Sequence, residues 1–86
     1  MTEVVVSGTF SLKKVSRFGN YVLLVGKLEK GDLAIGWKVL VNGKTAEVTD
    51  IGISSIDREI IDVTVQGITP EDLTGKSSLE FKTEIL

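Results

Sequence analysis

The side chains that most often carry chemistry are scarce in this chain. Its 86 residues include no cysteine and no histidine. That removes disulfides, thiolate metal sites and the commonest general base. Two close carboxylate pairs remain, Asp57/Glu59 and Glu71/Asp72. General acid–base work needs two such groups in a cleft, with pKa values driven apart. Both pairs fall in segments that read as surface turns. Glu71 and Asp72 already follow Thr69-Pro70 as the acids of a helix start. Asp50, Asp57 and Asp62 lack the spacing of a calcium loop. Gly75-Lys76-Ser77 looks like the end of a phosphate-binding loop, but Pro70 stands where that motif needs its first glycine. The residues that follow alternate like a strand, where the motif needs a helix. Gly19 to Lys27 has the wrong spacing for the same loop. The expectation is a protein that is not an enzyme, with no catalytic residues, no metal and no cofactor.

Binding surfaces are better represented. Lys13, Lys14 and Arg17 place three cations within five residues, and Phe18 follows. Such a group grips phosphate and stacks a base. The alternative reading is a solvated loop whose Phe18 tucks under a rim of the fold. Tyr21, Leu23 and Val25 share one face of an apolar segment, and facing outward they would form a patch for a partner. Trp37, the only tryptophan, has the parity of Val39 and Val41. It is either a core or rim residue or an exposed anchor for a partner.

The elements that must hold these residues are short strands. Val4 to Lys14 reads as a strand, with Phe10 and Leu12 on one face. Lys14 to Asn20 is polar and reads as a loop. Tyr21 to Leu28 is apolar on both faces, as in a central strand of a barrel, and Gly26 within it predicts a bulge or bend. Lys30-Gly31 reads as a turn. Trp37 to Val41 and Thr45 to Ile51 flank Asn42-Gly43, the strongest hairpin signal in the chain. Gly52 to Arg58 reads as a loop and Glu59 to Gln66 as a strand. A single helical turn is predicted over 70–74, and Ser78 to Ile85 alternates as a last strand. Six strands with short connections predict one all-β domain over residues 1–86, a small antiparallel barrel. A chain of this size buries only about 60% of its unfolded surface, which leaves little room for a deep cavity.

Four stretches resemble domain two of the translational GTPases of the elongation factor Tu family. Gly26-Lys27-Leu28-Glu29-Lys30-Gly31 with Gly36 is similar to the family's VVxGRVExGxxxxG core. Phe10-Ser11-Leu12 resembles its first strand, and Val39-Leu40-Val41-Asn42-Gly43 its following hairpin. The run from Val63 to Gly75 resembles its VxLxGIxxxDIxxG ending. The resemblance covers nearly the whole chain and implies a six-stranded β-barrel. In that family the domain sits beside a GTPase and touches the 3′ end of aminoacyl-tRNA or ribosomal RNA. It therefore implies RNA or a ribonucleoprotein as partner, with a GTPase or other translation protein supplied in trans. The family's reading groups do not carry over. The acidic residue presented to the terminal adenine corresponds to Gly52, followed by Ile53, Ser54 and Ser55. The AGxN stretch corresponds to Asp57-Arg58-Glu59-Ile60. A protein-interaction subunit or homodimer using Trp37 and the outer face of the second strand stays open. The Gar-type barrel of H/ACA particles is a third, more distant resemblance.

Net charge is −2, but it is unevenly spread. Residues 1–45 carry seven basic and three acidic side chains, a net +4, and residues 46–86 carry three and nine, a net −6. The acidic start before Val4-Val5-Val6 lacks the basic, longer apolar form of a secretory signal. No apolar run is long enough to cross a membrane as a helix. A cytoplasmic location with no membrane contact is the expectation.

Overall fold

The computed structural model describes residues 7–53 and 56–83. It contains β1 (Ser7–Phe18), β2 (Tyr21–Gly31), β3 (Lys38–Val41), β4 (Lys44–Ile53), β5 (Ile60–Gln66) and β6 (Ser78–Lys82), with one 3-10 turn at Pro70–Leu73. The strands close into a barrel in the order β1-β2-β5-β4-β3-β6. Every neighbouring pair is antiparallel. The all-β barrel with its single helical turn is thus as the alternation predicts.

Period-two alternation fills the interior. Val22 and Leu24 of β2, Val39 and Val41 of β3, and Val63 and Val65 of β5 all point into a sealed core. Phe10 and Phe81, both fully enclosed, meet edge to face with ring centroids 6.3 Å apart. That arrangement is favoured by the aromatic quadrupole. Ile68 and Leu73 close one end of the cylinder.

Gly26 shows why the central strand carries a glycine. It is buried in β2, and a Cβ there would overlap the Ser11 carbonyl oxygen and press on the Phe10 ring. The two longest strands can cross so closely only where one of them has no side chain. The register of β1 on β2 shifts twice, between Thr9 and Phe10 and between Leu12 and Lys14. These bulges bend the pair, as closure of a small barrel requires.

Several boundaries differ from the sequence reading. The predicted loop at 14–20 is strand as far as Phe18, closed by a two-residue turn at Gly19-Asn20. Gly19 has φ +62°, as a first central turn residue of the primed hairpin types requires. Lys14, Ser16 and Phe18 are the outward members of that strand, and the polarity of Lys14 and Ser16 disguised it. β2 continues to Gly31, which pairs with Gly8, so Lys30-Gly31 is not yet the turn. β4 reaches Ile53, and β3 starts after Trp37. Val4 to Val6 and Ile85 lie outside the described residues.

Charge is segregated between two strand pairs. β1 and β2 are neighbours, and together carry Lys13, Lys14, Arg17, Lys27 and Lys30 against Glu29 alone. β4 and β5 are neighbours, and carry Glu47, Asp50 and Asp62 against Lys44. One wall of the barrel is basic and the adjoining wall acidic.

Candidate nucleic-acid interface

The basic wall is built by the β1–β2 hairpin. Residues paired directly across an antiparallel ladder share a face. Lys14↔Val25, Ser16↔Leu23 and Phe18↔Tyr21 form one set, and Val15↔Leu24 and Arg17↔Val22 form the other. Val22 and Leu24 are buried, so the first set is the outward one. Lys13 sits at the bulge between Leu12 and Lys14 and is exposed. At the hairpin tip Phe18 is 72% exposed, beside Tyr21 at 41%. The alternative that Phe18 tucks under the rim is therefore corrected. The short turn leaves it on the solvent side of its strand.

The four RNA-contact candidates are not one cluster. Lys13, Lys14 and Phe18 lie on the outward side, whereas Arg17 belongs to the set that faces the barrel end. There its Nη2 lies 3.2 Å from Glu71 Oε2. The Glu71 carboxyl is held below its ordinary range by a backbone N–H of its own residue, then by the Thr69 hydroxyl and Arg17. Lys27 is paired with Glu59 at 3.5 Å, Lys44 with Asp72 at 3.1 Å and Lys82 with Glu80 at 3.4 Å. Lys13 and Lys14 make no ion pair among the described residues, so their charge faces solvent.

The partner-interface candidates divide as well. Tyr21, Leu23 and Val25 do face outward, with Leu23 and Val25 half-buried by their neighbours. Trp37 does not join them. It is half-buried against the core, just before β3, which lies three strands from β2 around the barrel. Its parity with Val39 matches this rim position. Sequence reasoning passed over the exposed Ile35, Leu40 and Ile53. The alternation of Leu40 against buried Val39 and Val41 was the available signal.

The remaining motifs have structural employment. Asp57 Oδ1 accepts the Glu59 N–H at 3.0 Å within a turn. Asp72 Oδ2 accepts the Thr69 N–H at 2.9 Å and the Lys44 ammonium at 3.1 Å. These contacts, led by the Thr69 N–H, hold its carboxyl down at about 2. Asn42 Nδ2 donates to the Asp72 carbonyl oxygen at 3.1 Å, so the 3-10 turn is tied to the β3–β4 turn. In Gly75-Lys76-Ser77, the Lys76 N–H donates to the Leu73 carbonyl at 3.0 Å, and the Ser77 carbonyl accepts the Leu12 N–H at 2.9 Å. That backbone is committed to the barrel. A shallow depression of about 180 Å³ lies at the same end, lined by Arg17, Asn20, Tyr21, Thr69 and Pro70 among others.

No known family model, no curated protein and no solved structure matches the chain.

Proposed function

We propose that this barrel is a non-catalytic binding module of a translation or related ribonucleoprotein setting, and that its contact is RNA. The observation that carries the reading is the outward face of the β1–β2 hairpin. It offers Lys13 and Lys14, which make no ion pair among the described residues, and the exposed ring pair Phe18 and Tyr21. Lysines supply the sequence-independent attraction to phosphate, and rings supply base stacking. The acidic wall of β4 and β5 opposes indiscriminate binding of polyanions and orients the barrel toward one. Arg17, held by Glu71, has a structural part instead. The barrel architecture and the four motif stretches favour a translation component, with a GTPase or another translation protein acting in trans. Charge reversal at both positions, Lys13→Glu with Lys14→Glu, tests the reading in an RNA titration at several salt concentrations. Affinity falls and the salt dependence flattens; unchanged binding removes this face from consideration.

A second reading has its own observation. Along one cross-strand row Lys14, Val25 and Asp62 lie side by side, a cation and an acid flanking an apolar residue. A two-fold axis through such a row sets each lysine against the acid of the other copy. A homodimer without RNA affinity would use this row together with Tyr21 and Leu23. Sedimentation separates the two readings: a tight dimer indifferent to RNA supports the second, and a monomer that binds RNA overturns it.

A further inference from the structure

We infer that the hairpin face takes single-stranded nucleic acid and rejects duplex; this rests on the RNA reading above. Phe18 and Tyr21 are direct cross-strand partners at the tip, both exposed, Phe18 at 72%. Neighbouring outward rings of this kind receive unpaired bases, whose flat faces are free. In a duplex those faces are covered by the adjacent base pairs, and the A-form major groove is too deep and narrow for side chains. The two rings would have no surface to meet.

The charges set the same limit. Lys14 lies four residues along β1 from Phe18, about 13 Å at strand rise, with Lys13 next to it at the bulge. A single backbone running along the hairpin meets the rings and then the lysines. Stepping sideways off that track meets Asp62, paired to Val25 on the next strand, and then Asp50, paired to Thr64. Strands are about 4.8 Å apart, so the acids begin one strand from the track. A duplex carries a second phosphate backbone, and this wall repels it. The bound strand is held by stacking at the tip and by phosphate contact at the bulge, with its path confined to β1 and β2.

The test is fluorescence anisotropy with labelled oligouridylate, alone and annealed to oligoadenylate, and with oligothymidylate as the DNA strand. The single strand binds at least about tenfold more tightly than the duplex. Phe18→Leu with Tyr21→Leu lowers single-strand affinity about tenfold and leaves its salt slope in place. Lys13→Gln with Lys14→Gln flattens that slope by about 0.7 per lysine. Phe18→Leu alone, at a 72% exposed position, keeps the test valid if the double ring variant misfolds. Equal or tighter duplex binding that still depends on Lys13 and Lys14 overturns the single-strand inference and leaves RNA contact standing. No binding of any probe by the folded protein overturns both. Equal affinity for oligouridylate and oligothymidylate extends the ligand class to single-stranded DNA, and preference for oligouridylate keeps it to RNA.

Discussion

At the scale of single residues, outward and inward positions behave as different kinds of site. Phe10 and Phe81 form the largest enclosed pair. Phe10→Ala removes the ring from a sealed core and destabilises the fold by about 3–5 kcal/mol in chemical denaturation. Gly26→Ala forces a methyl against the Ser11 carbonyl and the Phe10 ring, and costs about 1–3 kcal/mol in the same measurement. Phe18→Leu, at the hairpin tip, leaves the denaturation midpoint within about 0.5 kcal/mol of the parent. The distinction was half legible in the sequence. Alternation of Leu79 and Phe81 against Glu80 and Lys82 announces the core, because a strand with one buried face has a period of two. The exposure of Phe18 was hidden, because a lone aromatic in a polar stretch reads equally as a rim residue. Only its pairing with Tyr21 across a two-residue turn fixes its side.

Among the elements, the 3-10 turn is tied to the barrel by charge as well as by its buried Leu73. Asp72 receives the Thr69 N–H and the Lys44 ammonium, and its carbonyl takes Asn42. Its carboxyl titrates at about 2 in the fold, below an ordinary value of 3.8. A depressed native pKa means stability that is present above pH 3.8 and lost as pH falls toward 2. Thermal unfolding followed between those pH values shows the midpoint falling, and Asp72→Asn both lowers the midpoint at neutral pH and shallows that fall. The helix start itself was legible, since Thr69-Pro70-Glu71-Asp72 carries a hydroxyl cap, a proline and two acids in order. Its tether to Lys44 and Asn42 was not, because those residues lie 28 and 30 positions away. The β1–β2 hairpin shows the converse. Its polar outward residues resemble a loop in sequence, yet both strands pair up to the Gly19-Asn20 turn.

Over the whole molecule, closure is uneven. Among the described residues β1 and β2 pair over ten positions, whereas β3 spans four residues and β6 five. These short strands are where the barrel opens first. Native-state hydrogen exchange finds β3 and β6 amides exchanging faster than those of Val22 to Leu24 and Val63 to Val65. Equal protection around the barrel would contradict this. The arrangement of charge belongs to this scale too. The basic excess of β1 and β2 and the acidic excess of β4 and β5 become adjoining walls because β2 pairs with β5. The counts were readable in advance, but their separation depended on strand order. The most direct measurement of the central claim is a titration of the isotopically labelled protein with oligouridylate, followed by NMR amide shifts. The account predicts perturbations concentrated from Lys13 to Val25, and quiet amides at Asp50 and Asp62. Perturbations centred on β4 and β5, or none at saturating oligonucleotide, would contradict it.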